Sequence, residues 1–444
     1  MKTLCLSIIL IFTSQIIHSQ TPLITQEKKQ AIDTYINYFE TNNKLMGTVS
    51  IFENENEVYN KTFGKLDLES NDIPNRKYTI GSISKMYVAV LFSKLKEKGE
   101  IKFDEKLSKY FPDIPNSKNI TISQMLNHTS GLKNYTVKND SLLYWLKKPR
   151  TEKEIMSEII RQGIAFQPGD STLYSNSAYY LLGKILERKY KKPFREIVEN
   201  EIAKPLQLKN TIVIDETTKG TDFAKSYEKK NGEWTEMQEF YFPNAFAAGN
   251  IVSTAKDLNI FLNDLFTFGI ISKKTLFTML PKDKNWFGLG VMKVPFYEHI
   301  AYGHGGDTYG THSVASYNSE NKLAISYIIN GEDYPTNDFA IGLLSIIYDK
   351  EYKLPSFSDY AADKDYFKNY EGVYGADGFP ITIKIYEDNN ELIAQGEGQP
   401  SFTLTPVEKH VFEFKKAGII LEFNINNQTM TLKQAGQIFE LNKK

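Results

Sequence analysis

Apolar residues recur at helical spacing from Gln26 to Asn43, and the pattern then changes to alternation between Met46 and Lys65. Val49-Ser50-Ile51 and Val58-Tyr59 flank the polar stretch Glu53-Asn54-Glu55-Asn56, which predicts a helix followed by a hairpin. Good helix formers run from Met86 to Lys98 and stop at Gly99, so the helix that opens at Ser82 carries this serine in its first turn. Thr121 and Gln124 form a T-x-x-Q capping box, with Ile120 and Met125 as its hydrophobic staple, and predict a helix ending at Gly131. A further helix follows Asn176, with Leu181, Leu182, Ile185 and Leu186 on one face. Strand alternation returns at His312 to Tyr317 and Leu323 to Ile329, bounded by Asn330-Gly331. Helices set between hairpins and late strands predict an α+β layer structure.

After the apolar helix Phe339 to Ile347 the chain turns polar, and residues 349–362 read as a linker. Beyond it, Ile381 to Ile385 and Leu421 to Ile425 alternate on either side of Asn-rich turns, so residues 363–444 are expected to form a small all-β barrel or sandwich. At the other end, Met1-Lys2, the apolar run Leu4 to Phe12 and the small residue at Ser19-Gln20 have the form of a secretory signal over residues 1–20. That run is far shorter than the roughly 20 residues that span a bilayer. The expected organisation is therefore signal, a domain over 21–348, linker and β domain, with periplasmic or secreted localisation and no stable membrane span.

Composition narrows the chemistry. The chain has 444 residues, 41% of them hydrophobic and 24% charged, which suits two folded cores. Its 53 basic and 54 acidic residues leave a net charge of −1, with no basic run to engage phosphates, so nucleic acid is not an expected partner. The single cysteine, Cys5, lies in the signal, which removes a thiolate nucleophile from the mature chain. The histidines show no metal-ligand spacing, and structural roles are the default for His128, His299, His312 and His410.

Ser82-Ile83-Ser84-Lys85 places a hydroxyl and an amine three residues apart, on one helix face. Serine needs a neighbouring base, and a lysine serves only if burial or charge lowers its pKa. The same spacing recurs at Ser93 and Lys96, Ser130 and Lys133, Ser226 and Lys229, Ser253 and Lys256, and Ser319 and Lys322, where a solvated pair is the default. The first copy differs in its setting: Tyr78-Thr79-Ile80-Gly81 delivers Ser82 to a helix N-terminus, which favours a developing oxyanion. Phe166-Gln167-Pro168-Gly169-Asp170 predicts a turn that presents Tyr174-Ser175-Asn176 at a cleft. There an adjacent ammonium would lower the Tyr174 phenol, and the Asn176 amide suits a substrate amide. Tyr302-Gly303-His304-Gly305-Gly306-Asp307 precedes a strand, and its glycines allow a backbone to approach a ligand closely.

In chain order, Ile80 to Lys85, His128-Thr129-Ser130-Gly131-Leu132, Pro168-Gly169-Asp170 with Tyr174-Ser175-Asn176, and His304-Gly305-Gly306 resemble the β-lactamase-related serine hydrolases. That family includes class C β-lactamases, DD-carboxypeptidases, D-aminopeptidases and certain esterases. The resemblance, over residues 30 to 345, implies an α+β fold in which an antiparallel sheet packs beside a helical region with the active site between them. It implies acylation of Ser82 and hydrolysis of the acyl-enzyme by water, with Lys85 and Tyr174 handling the proton in an order the sequence leaves open. Asn176, His304, Gly305 and Gly306 would contact substrate, and the backbone N–H groups of Ser82 and Asp307 would form the oxyanion hole. No metal or organic cofactor is implied, and the expected partner is a small-molecule or short-peptide substrate.

The chain departs from the Lys-Thr-Gly usual in β-lactamases and carboxypeptidases. Histidine is largely neutral at pH 7 and attracts a substrate carboxylate less than lysine does, which weighs against penicillins and C-terminal peptides as substrates. In the family, a histidine at this position, here His304, resembles the D-aminopeptidase and esterase members. The expected activity is hydrolysis of small amides or esters. A β-lactamase or DD-carboxypeptidase and a non-catalytic binding protein are the alternatives. Tyr370-Glu371-Gly372-Val373-Tyr374 is similar to the start of the lipocalin-like β domain appended to some of these hydrolases.

Overall fold

The structure is a computed structural model that describes residues 22–64, 76–136, 147–218, 223–230, 232–282, 285–355, 357, 362–376, 379, 381–414, 417–434 and 437–444. The signal reading over 1–20 lies outside these residues. Among the described residues, no helix is long and apolar enough to cross a membrane. They fall into two compact units that divide after Glu351, with the short segment 337–342 grouped with the second.

The first unit runs α1 (Gln26–Thr41), β1 (Leu45–Glu53), β2 (Asn56–Phe63), β3 (Tyr78–Thr79), α2 (Ser84–Glu97), α3 (Ile122–Leu126), α4 (Glu152–Gln162), α5 (Asn176–Tyr190) and α6 (Phe194–Val198). It continues with β4 (Ile212–Val213), β5 (Tyr227–Lys230), β6 (Glu233–Glu236), β7 (Ile251–Ser253), α7 (Ala255–Phe266), α8 (Lys273–Met279), β8 (Met292–Phe296), β9 (His299–Asp307), β10 (His312–Asn318) and β11 (Leu323–Glu332). The helix α9 (Thr336–Ile347) follows. Side-chain caps start the helices: Thr25, Thr121, Thr151, Ser175, Thr254 and Ser272 each accept a backbone N–H of the first turn.

The main sheet has the antiparallel order β2-β1-β11-β10-β9-β8, with the β5-β6 hairpin attached parallel to β11 through β5. β1 is buried along its whole length because α7 covers one face, and Asn259 of α7 donates to the Ser50 carbonyl at 2.8 Å. A stacked pair, Tyr87 of α2 and Phe261 of α7 with ring centroids 4.2 Å apart, ties the two buried helices together. The small sheet β3-β7-β4 then delivers the chain to the start of α2.

Three expectations are corrected. The helix capped by Thr121 has its capping box but stops at Leu126, because His128 adopts φ +63° and turns the chain out of helix well before Gly131. The first hairpin turns in two residues, Asn54 and Glu55, both at positive φ. Asn330-Gly331 does not end its strand: β11 runs through it to Glu332, with Gly331 opposite Met46.

The second unit is a closed barrel of eight strands, β12 (Gly372–Gly375), β13 (Ile383–Asp388), β14 (Glu391–Gly396), β15 (Ser401–Glu408), β16 (Val411–Phe414), β17 (Ile419–Asn424), β18 (Thr429–Gln434) and β19 (Gln437–Lys443). Pairing of Tyr374 with Lys443 closes it and decides between barrel and sandwich. Its interior is filled by Tyr370, Tyr374, Phe412, Phe423, Met430 and Leu441 among others.

Candidate active site

The nucleophile turn is fixed from both sides. β3 pairs with β7, and the Ile80 N–H donates to the Ile251 carbonyl at 3.0 Å. Gly81 then takes φ +47°, and a Cβ there would lie 2.8 Å from the Asp307 nitrogen, so only glycine lets β9 come this close. A 3-10 turn over Gly81–Ile83 leads into α2, and the Ser84 hydroxyl donates back to the Gly81 carbonyl at 2.7 Å. Ser82 is thereby left half-buried at the helix start, one turn from Lys85.

Lys85 is fully buried, with Nζ 2.9 Å from Ser82 Oγ and donating to the Ala248 carbonyl at 2.6 Å. That carbonyl is positioned by a turn in which Ala247 has positive φ and the Asn250 side chain accepts the Ala247 N–H. Burial holds the Lys85 amine well below the usual lysine range, with no carboxylate among the described residues opposing it. A fully buried lysine without an anion favours the neutral amine, which has a free lone pair.

The Tyr174 loop is moored to the His128-to-Leu132 segment. Gly169 N–H donates to the Thr129 carbonyl at 2.8 Å, and Leu173 N–H donates to the His128 carbonyl at 2.9 Å. Lys85 Nζ lies 4.8 Å from the Tyr174 ring centroid, and Ser82 is close enough to the phenol to favour its ionised form. Its pKa is raised by burial and, secondarily, by the Asp307 charge, with Ser82 acting in the opposite direction. The expected lowering by a lysine ammonium is thus reversed, because the same dry surroundings disfavour both the ammonium and the phenolate. Asn176 opens α5, with Nδ2 donating to Thr136 Oγ1 at 3.2 Å.

On the opposite side lies β9. β8 pairs with it only from His299 to Gly303, so His304 to Asp307 keep β10 as their sole strand partner among the described residues. Gly306 packs so closely on the nucleophile turn that a Cβ would lie 2.0 Å from the Ile80 carbonyl. Gly305 has free space, since a Cβ there would meet only the Ser313 carbonyl at 3.8 Å. The buried His304 ring sits 6.2 Å from Tyr174, donates through Nδ1 to the Gly305 carbonyl, and has its pKa lowered to about 4 by burial and by Lys85. It is neutral at pH 7, as the replacement of lysine suggested.

The structure brings Ser82, Lys85, Tyr174, His304 and the backbone of Gly306 and Asp307 together around the nucleophile turn, while Asn176 follows Tyr174 at the start of α5 and Gly305 lies between His304 and Gly306 on β9. Sequence reasoning gave no site role to His128, Asn134 or the Ala248 carbonyl. His128 was visible in its motif, and Asn134, which donates to the Tyr174 carbonyl at 3.1 Å and accepts the Asn176 N–H, had no distinguishing pattern. Among the described residues no group of His, Cys, Asp or Glu side chains is arranged to hold a metal ion.

The family profile described as Beta-lactamase matches residues 37–344. The chain belongs to the beta-lactamase family and is a serine hydrolase of that class. It is 27% identical over 292 residues to PbpX of Bacillus subtilis (strain 168), whose name places it with the penicillin-binding proteins, a match that spans 62% of this chain and 68% of that one. It is 26% identical to the teichoic acid D-alanine hydrolase of Staphylococcus aureus (strain MRSA252) over 56% of this chain and 60% of that protein, less than two thirds of its length. Among solved structures, the D-amino acid amidase of Ochrobactrum anthropi SV3 superposes with a TM-score of 0.64 at 24% identity, over 72% of this chain and 99% of that one, a likeness of fold.

Proposed function

We propose that the protein is an exported hydrolase that cleaves small amides or esters of D-amino acids through an acyl-enzyme on Ser82. The observation that carries the reading is the buried Lys85 amine, 2.9 Å from Ser82 Oγ and with no carboxylate opposing it among the described residues. Its lone pair accepts the Ser82 proton as the oxygen attacks the substrate carbonyl. The tetrahedral oxyanion is received by the backbone N–H groups of Ser82 and Asp307, which the Gly81 and Gly306 close approaches bring together. Tyr174 passes its proton to the leaving group and takes back the one that Lys85 accepted from Ser82, which restores both the phenol and the neutral amine, and water then releases the acyl group by the same route in reverse. Asn176 and the open edge at Gly305 receive the substrate amide.

Export rests on the signal pattern at residues 1–20. The D-aminoacyl preference is supported by the activities that the Staphylococcus aureus relative and the Ochrobactrum anthropi fold neighbour are named for. The neutral His304 favours it over penicillin or carboxypeptidase substrates, which bring a carboxylate that nothing cationic at this position would hold. The test is turnover of D-phenylalanine amide, a D-alanyl ester and benzylpenicillin by the wild type and Ser82→Ala. The expected result is hydrolysis of the first two, weak or no penicillin hydrolysis, and loss of at least about 10³-fold with Ser82→Ala. Efficient penicillin turnover would refute the substrate assignment, and full activity of Ser82→Ala would refute the mechanism.

A further inference from the structure

His128 is a buried, non-glycine residue in left-handed backbone conformation, φ +63°, directly behind Tyr174. Such a residue is strained unless its surroundings require it. Three contacts explain the requirement, and all three are with residues 173–175. The His128 carbonyl accepts the Leu173 N–H at 2.9 Å, Nδ1 accepts the Ser175 N–H at 3.1 Å, and the imidazole lies on the Tyr174 ring with centroids 4.3 Å apart and planes 30° from parallel. Phe287 closes the far side, edge-on at 5.1 Å, and Tyr179 packs at 5.3 Å. A backbone N–H can only donate, so Nδ1 carries no proton and the neutral ring holds its hydrogen on Nε2. That Nε2 is buried without a hydrogen-bond partner among the described residues.

We propose that His128, as the neutral Nε2–H tautomer, is the positioning residue for Tyr174, fixing the phenol against Ser82. The inference rests on the reading of Ser82 as the acylated nucleophile. A protonated ring would put a hydrogen on Nδ1, facing the Ser175 N–H, and would release the loop from one of its three ties. The charged or titratable groups packed around the ring are Lys85 from α2, His304 from β9, Tyr174 from the loop before α5 and Tyr179 within α5, and none of these is a carboxylate that would stabilise an imidazolium. Burial and the neighbouring Lys85 and His304 hold the pKa of His128 well below the ordinary histidine range, consistent with a ring that stays neutral.

Two substitutions separate its contacts. His128→Asn keeps a side-chain acceptor and tolerates positive φ but removes the ring, whereas His128→Phe keeps the ring and removes the acceptor. The readout is the rate at which a fluorophosphonate labels Ser82, together with kcat and KM for a D-alanyl ester. We expect labelling and kcat to fall about 10- to 100-fold in His128→Phe and less in His128→Asn, with KM changed by less than about 3-fold. Folded variants that label at the wild-type rate would overturn the proposal. Should either variant not fold, ¹⁵N-imidazole NMR of the wild-type protein decides: a neutral Nε2–H signal for His128 persisting well below pH 6 supports the assignment, and an Nδ1–H tautomer or ordinary titration overturns it. Absence of any Ser82 labelling in the wild type would instead remove the acyl-enzyme reading, and the NMR result would still judge the His128 tautomer and its bond to Ser175.

Discussion

Ser82 with Lys85 and Ser253 with Lys256 have the same spacing, and they do opposite things. Lys85 has no exposed surface and points at its serine and a carbonyl. Lys256 is 43% exposed and pairs with Glu57 at 2.6 Å, while Ser253 shares a hydrogen bond with Thr211 at 2.8 Å. Ser226 and Lys229 repeat the second pattern, with Lys229 3.2 Å from Asp333. The difference lies outside the motif: Lys85 is fully buried with no carboxylate against it among the described residues, whereas Lys256 and Lys229 each have a carboxylate partner, whether half exposed or largely covered. A lysine becomes a base through what is withheld from it.

The comparison breaks most sharply at the lysines themselves. Lys85→Met should reduce Ser82 labelling by at least about 10³-fold while the protein stays folded, because the methionine fills the buried slot without a lone pair. Labelling within 10-fold of wild type would make Lys85 a structural residue like its copies.

The dryness of the site has its own signature in stability. His304 is held at about 4 in the folded protein, against an unfolded value near 6.5. Between those values the unfolded chain takes up a proton that the folded one refuses, so stability falls as pH drops from 6.5 to 4. His304 alone contributes a loss of roughly 3 kcal/mol. His128 shifts in the same direction. His312, raised by its hydrogen bond to Asp307, contributes stability that is complete below 6.5 and is lost at higher pH, so it does not offset this window. Urea denaturation across pH 7 to 4 measures the slope, and His304→Gln should flatten it.

A smaller effect tests the approach of β9 to the serine. Gly81→Ala places a methyl against the Asp307 backbone and a side chain at φ +47°, and should cost about 2 kcal/mol with a 10- to 100-fold loss of labelling. Lys256→Met should do least: it removes a partly exposed ion pair, changes stability by less than about 1 kcal/mol in urea denaturation and leaves labelling unchanged.

How much of this was legible in the sequence follows from the same contrast. Periodicity located the first helix, the hairpins and the all-β end because burial on one face leaves a regular mark. Glycine and turn residues located the nucleophile turn and the Tyr174 loop. The termination at Leu126 was hidden because it depends on His128 taking a left-handed conformation to reach residues 173–175, a tertiary demand. Barrel closure was likewise invisible, since the pairing of β12 with β19 joins strands at opposite ends of the unit. The direction of the Tyr174 shift is not legible in the sequence, which supplies the lysine but not the burial that disfavours both its ammonium and the phenolate.

The most direct test of the central claim, that a neutral buried Lys85 activates Ser82, is the pH dependence of the rate at which a fluorophosphonate labels Ser82. The account predicts a rate that rises with pH and levels off with a midpoint well below the ordinary lysine value of 10.5, unmoved by Tyr174→Phe even though that variant labels more slowly. A midpoint near the ordinary lysine value, or one that disappears in Tyr174→Phe, would contradict it and make the tyrosine the base.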